Sequence, residues 1–234
     1  MRLAPAVLPP RIPRRGSAAW QWLGYQVLRL GGWRLDGQFP DVPKLVVAVA
    51  PHTSNWDFLY GAAAMFALDL RASFIGKHTL FVWPLSRFLR WMGGIPVDRS
   101  RSQGVVDDTV AAFRDSASLV LAIAPEGTRS GDGRLQKART GVAVLALESG
   151  APVIPVGYYG GEKFRANIVR LARTDFHIRV GDPFHVRMEG GRLTRDVRER
   201  ITAEIMYRLA RLLPPEYRGY YSNLSQATNR YLTD

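Results

Sequence analysis

Residues 45–50 read Leu-Val-Val-Ala-Val-Ala, an apolar run opened by Lys44 and stopped by Pro51. A short run rich in Val, bounded by a charge and a proline, reads as a buried strand. Such a strand needs apolar cover from elsewhere in the chain, and the remaining pattern supplies it. Residues 57–70 carry a helix pattern, ASFIGK a strand, and WPLSRFLRWMGG a short amphipathic helix with Arg87 and Arg90 among its aromatics. GIPVDR reads as a brief strand or extended turn, 102–116 as helix, SLVLAIAPEG as strand, and GVAVLALESG as a helix closed by Gly150. PVIPVGYYG reads as a further strand, and FHIRVGDPFHV as one more strand and its exit. A last helix runs from near Thr194 to before Pro214–Pro215, with Val197, Ile201, Ile205, Leu209 and Leu212 as its core stripe. The alternation predicts one α/β domain with a largely parallel or mixed central sheet flanked by helices. A chain of 234 residues, 47% apolar, can fill one such core.

Four regions follow. Residues 1–16 are a basic Pro/Arg arm, expected to be poorly ordered. Residues 17–43 hold an amphipathic helix, with Ser17 as N-cap, and a connection; 44–213 are the main domain; 214–234 are a polar and aromatic tail without assigned structure. In the first helix Trp20, Leu23, Val27 and Leu30 share one face, while Trp22, Tyr25 and Leu28 lie elsewhere. A membrane-interface helix and a helix packed on the domain both fit this pattern.

The formal net charge is +12 and the pI about 10.5, which favours nucleic acid, a membrane surface or a phosphorylated substrate as partner. The basic residues are dispersed, without an aromatic-lined recognition motif, so nucleic acid is not expected. The absence of cysteine excludes disulfides, thiolate metal sites and a Cys nucleophile. Four scattered histidines make a poor metal set. No G-x-S-x-G, H-E-x-x-H, G-x-G-x-x-G or P-loop pattern occurs. No run approaches the roughly 18 apolar residues of a spanning helix, and Pro5, Pro9 and Pro10 break any signal-peptide core. The expected location is the cytoplasmic side of a membrane, touched but not crossed.

Two stretches carry chemistry. In PHTSNWDF, His52 follows the apolar strand and Asp57 stands five residues on, where a helix begins. Imidazole changes charge near neutral pH, and a carboxylate on one ring nitrogen fixes the tautomer that lets the other take a proton. Ser54 to Asp57 also matches a capping box, so Asp57 fits either role or both. The same spacing recurs from His177 to Asp182, but within a strand and its exit, where the two should not touch. In APEGTRSGDG, a strand ends at Pro125, and Glu126, Gly127, Thr128, Arg129 and Ser130 offer a carboxylate, a flexible turn, two hydroxyls and a guanidinium suited to phosphate. A polar surface turn fits the same residues. Lys77 and Arg99 are further cations at strand ends, which singly also suit solvated surface charge.

Four stretches in order resemble the glycerolipid acyltransferase family. PHTSNWD is similar to its N-H-x-S-x-x-D block, GGIPVDRS to G-x-I-x-[IV]-x-R, APEGTRS to F-P-E-G-T-R-S, and APVIPVGYYG to x-P-[IV]-x-P-[IV]. The resemblance implies the glycerol-3-phosphate acyltransferase-like fold, with His52 as general base and Asp57 as its partner. It assigns Arg99, Glu126, Gly127, Thr128, Arg129 and, more loosely, Lys77 to the acceptor and its phosphate, and makes Pro152 and Pro155 structural or acyl-pocket residues. It implies no metal and no cofactor. The donor would be acyl-CoA or acyl-carrier protein, and the acceptor a lysophospholipid, with 1-acyl-glycerol-3-phosphate giving phosphatidic acid as the first expectation. Pro51 in place of Asn, Trp56 before Asp57, and His-Thr-Leu after Lys77 depart from the pattern. They leave other acceptors open, such as a lyso-ornithine lipid or glycolipid. A non-catalytic basic lipid- or nucleic-acid-binding protein is the rival of another class.

Overall fold

The structure is a computed structural model that describes residues 8–52, 56–97, 102–170 and 172–234. Its centre is a seven-stranded sheet: β1 (Arg34–Asp36), β2 (Lys44–Ala50), β3 (Ala72–Lys77), β4 (Gly94–Val97), β5 (Leu119–Ile123), β6 (Val153–Tyr159) and β7 (His177–Val180). The spatial order is β1-β7-β6-β2-β5-β3-β4, parallel throughout except where β6 meets β7. The expected largely parallel sheet is therefore present. The run FHIRVGDPFHV gives a strand and its exit: the chain leaves β7 at Gly181, and in the exit β8 (His185–Val186) pairs antiparallel with β9 (Leu232–Thr233) of the tail.

The apolar run of β2 splits by period two between two cores. Leu45 and Val47 face one, with α1 (Ala18–Gly31) and α2 (Trp56–Ala67) over it. Val46, Ala48 and Ala50 face the other, covered by α4 (Ser102–Asp115), α5 (Gly141–Ser149) and α7 (Arg195–Leu212). Burial on both sides is why the run shows no alternation. Of the remaining helices, α3 (Leu85–Trp91) crosses from β3 to edge strand β4, and α6 (Phe164–Val169) follows β6. The ends read from sequence hold: Gly150 caps α5 in the left-handed conformation, and Thr194 Oγ1 accepts the Val197 N–H at the start of α7. Ile201, Ile205 and Leu209 of the expected α7 stripe are fully buried, and Val197 and Leu212 flank them half-buried.

Three regions go beyond what the sequence assigned. The arm is packed from Leu8 onward: Leu8 and Ile12 are buried, the Arg15 N–H donates to Asp69 O and the Arg71 N–H to Pro13 O, and Asp69 Oδ1 accepts from Gly16 and Ser17. The tail is also integral. Glu204, buried on α7, accepts the Thr228 hydroxyl and the Arg230 and Tyr231 N–H groups. On α1 the sequence left membrane contact and packing on the domain both open, and the face that packs is not the one bearing Trp20, Leu23 and Leu30. Gly24 and Leu28 are buried, whereas Trp20, Leu23 and Leu30 are exposed. Gly24 decides this, because a Cβ there would stand 2.5 Å from Ala67 N and 2.8 Å from Ala63 O, so α1 can approach α2 only along a glycine. Gly24→Ala is expected to lower stability by about 1–2 kcal/mol. Backbone overlap costing roughly 1–3 kcal/mol outweighs a helix-propensity gain of up to about 1 kcal/mol. Urea denaturation measures it.

Candidate active site

Adjacent parallel strands deliver the two motif stretches to one edge of the sheet. β2 and β5 pair with Ala48 opposite Ile123, so Pro51–His52 and Pro125–Glu126 leave the sheet side by side. At such carboxyl ends α/β sheets present reactive groups. The Ala50–Pro51 peptide is cis, Pro51 is buried, and His52 is half-buried.

The backbone of His52 is gripped on both sides. Its N–H donates to Glu126 Oε2 at 2.6 Å, and its carbonyl accepts the Ser130 N–H at 2.7 Å. The other Glu126 oxygen accepts the Gln136 N–H at 2.6 Å, and Glu126 is only 1% exposed. Each Glu126 carboxyl oxygen is therefore engaged by a backbone N–H. Glu126 thus ties three segments together: the end of β2, the turn after β5, and the loop leading to α5. That loop is itself held by the tail. Leu135 exchanges backbone bonds with Tyr217 and Tyr220, and the Tyr221 hydroxyl accepts the Ala138 N–H at 3.1 Å. Burial, opposed by that N–H, pushes Tyr221 up to about 12, so it stays neutral in this role.

Thr128 and Arg129 are exposed at the turn, beside the gripped histidine loop. Gly127 has φ 62°, and a Cβ there would come within 2.9 Å of Arg139 Cδ. The Arg139 stem therefore lies against the turn, and its N–H donates to Pro125 O at 2.9 Å. Gln136 and Arg139 escaped sequence reading. The only signal was a basic Lys-Ala-Arg-Thr stretch (137–140), which resembles any solvated charge run. Lys77 ends β3, exposed; carrying the β3–β5 register of Phe74 with Ala122 three residues on sets it level with Pro125. Asp57 lies on the first turn of α2, but its side chain and residues 53–55 are outside the described residues, as is Arg99, two residues beyond β4.

His177 is elsewhere, as expected. It stacks on Tyr159 at 4.7 Å, and its Nε2 lies 3.2 Å from Asp175 Oδ1, so its carboxylate partner is not Asp182. Pro152 and Pro155 serve the sheet through their carbonyls, which accept from Val46 and Gly181. Among the described residues no group of His, Asp and Glu is arranged to hold a metal ion, and no helix is long and apolar enough to cross a membrane.

A family model described as Acyltransferase matches residues 39–159, just over half of the chain and all of the edge just described. The chain belongs to the Acyltransferase family. A 1-acyl-sn-glycerol-3-phosphate acyltransferase of Limnanthes alba is 30% identical over 147 residues, 61% of this chain and 51% of that protein. One of Pseudomonas aeruginosa is 25% identical over 181 residues, covering 75% of this chain and 68% of the relative. The chain thus spans about half the length of the Limnanthes alba relative. Its fold is similar to the crystal structure of the Thermotoga maritima 1-acyl-sn-glycerophosphate (LPA) acyltransferase PlsC, with TM-score 0.52 and 18% identity, over 78% of this chain and 76% of that one. Within the acyltransferase-family match, β2, β4, β5 and β6 lead into or carry the four blocks, each covered in full or in part by the described residues.

Proposed function

We propose that this chain is a peripheral O-acyltransferase on the cytoplasmic face of a membrane. It moves a fatty acyl group from acyl-CoA or acyl-carrier protein to 1-acyl-glycerol-3-phosphate. The observation that carries the reading is the gripped histidine: family match, sheet edge and the Glu126 brace meet at His52. His52 takes the proton of the acceptor hydroxyl as its oxygen attacks the thioester carbonyl, and Asp57 stabilises the imidazolium that forms. The tetrahedral intermediate collapses, the C–S bond breaks, and the thiolate recovers the proton from the imidazolium. No covalent bond to the protein forms. Lys77, Arg99, Gly127, Thr128 and Arg129 surround the acceptor phosphate in this reading. Glu126, with both oxygens already on backbone N–H groups, serves it by shaping the turn.

Purified protein should convert lysophosphatidic acid in a panel of lysolipids with each donor, read by mass spectrometry. Turnover of a lysolipid without phosphate, with lysophosphatidic acid refused, would reassign the acceptor. Arg129→Ala is expected to raise KM for lysophosphatidic acid about tenfold or more with kcat little changed. A charge-assisted bond contributes about 1.5–3 kcal/mol. An unchanged KM would remove Arg129 from the phosphate site.

A further inference from the structure

A cleft of about 620 Å³ opens at the opposite end of the sheet from His52. Its floor is the start of β3 and β4, at Ala72–Ser73 and Gly93–Ile95, so it lies about 16 Å along β3 from Lys77, at about 3.3 Å per residue. Arg14, Arg15, Arg71 and Arg90 line it, together with Trp20 and Trp91. The Arg15 guanidinium donates to the carbonyls of Leu70, Trp91 and Met92 and lies over the Phe66 and Trp91 rings, which fixes the wall. Burial and neighbouring Arg71 push the Arg15 pKa down, against the pull of Asp69. Asp69 already accepts two backbone N–H groups.

The cleft is continuous with an exposed apolar edge. Trp20 of α1 touches Trp91 of α3, with ring centroids 5.1 Å apart, and Phe88 lies against Trp91. From there α3 and the segment before it run back towards the end of β3, presenting Val82 and Trp83, the latter 84% exposed. Arg90 stands over Phe81 at 5.7 Å, so cations and aromatic rings are interleaved along the edge. Aromatic rings beside arginines suit the headgroup level of a bilayer, where one side is apolar and the other wet and anionic. Patches of this kind mark interaction sites.

We propose that the arginine cleft binds the phosphate headgroup of an anionic phospholipid, and that the edge from Trp91 to Trp83 inserts beside it into the same leaflet. The choice of a bilayer as occupant rests on the lipid-acylation reading and on the charge complementarity of the cleft. One lipid is gripped at the far end of the sheet while the apolar edge extends towards the catalytic end. The chain is thereby set on the membrane along the β3–β4 side, with α1 and α3 both in contact. The catalytic cations are not needed for this attachment.

The test is co-sedimentation of the full chain with phosphatidylglycerol/phosphatidylcholine vesicles and with phosphatidylcholine alone. Arg71→Gln with Arg90→Gln should lower partition onto the anionic vesicles about 25-fold, from roughly 1 kcal/mol per basic residue at an anionic surface. Arg192→Gln with Arg200→Gln, equal in charge but on exposed residues at the start of α7 and the loop before it, should change it less than about threefold, in contrast to surface-proximal charge. Trp83→Ser should weaken binding to both vesicle types about tenfold, as expected for loss of an inserted aromatic. Unchanged melting temperatures establish that each variant is folded. Equal losses from the two arginine pairs, or wild-type binding by Arg71→Gln with Arg90→Gln, would overturn the site, as would indifference to vesicles with binding of an acidic carrier protein instead. Vesicle binding with the expected losses but no acyl transfer would leave the site standing and remove the chemistry. Transfer to detergent-dispersed acceptor without these losses would do the reverse.

Discussion

His52→Ala is expected to lower kcat for acyl transfer by about 10³-fold, within the 10²–10⁴ range for a general base, while the melting temperature stays close to wild type. The separation of the two effects follows from how the residue is held. The bonds to Glu126 and Ser130 use the His52 N–H and carbonyl, which alanine retains. Only the imidazole is lost, and with it the acceptor for the hydroxyl proton. KM for either substrate should move little, because a base acting in the transition state contributes little to ground-state binding. Asp57→Asn should reproduce part of the loss in kcat. Full activity in His52→Ala would end the proposal for this site, whatever the acceptor proves to be.

Glu126→Ala is expected to act on stability and on rate together. It leaves the His52 and Gln136 N–H groups without their buried acceptor, at about 1–3 kcal/mol each. A total near 3 kcal/mol corresponds to roughly 6–12 °C in melting temperature for a domain of this size. Release of the His52 loop should also lower kcat about 10²-fold, the order expected for a misplacement of about 1 Å. Glu126→Gln should fall between, since its carbonyl can accept one N–H while its amino group opposes the other. The resemblance alone assigned Glu126 to the acceptor. If that were its role, Glu126→Ala would raise the acceptor KM, hold kcat and leave the melting temperature unchanged. The brace predicts the opposite division.

Glu126 also shows where sequence reading ends. Its block was legible, and so was its position after a strand. The inward turn of its carboxylate was not, because that depends on His52 and Gln136, which lie 74 and 10 residues away. Features set by local chemistry were readable: the two-faced burial of β2, the Gly150 cap and the Thr194 cap. Features set by distant partners were not. The strand Arg34-Leu-Asp36 has too few apolar residues to announce itself and forms only by pairing with β7. Nothing in residues 216–234 reveals that Glu204 and Leu135 hold them. On α1 the wheel offered two apolar faces, and a glycine, invisible to a hydrophobicity pattern, selected between them.

The order of strands in the sheet has a consequence for how the site comes into being. β2 pairs with β5, and Lys44 faces Leu119 across a loop that includes β3, β4 and the helices α2 to α4. Contacts of such long sequence separation form late, because closing the loop costs entropy before any pairing offsets it. A ribosome-bound chain that has emerged only as far as α4 has the histidine but not the carboxylate that positions it. The edge therefore lacks its Glu126 brace until β5 has entered the slot between β2 and β3. Docking of β5 and bracing of the His52 backbone become a single event in the life of the nascent chain.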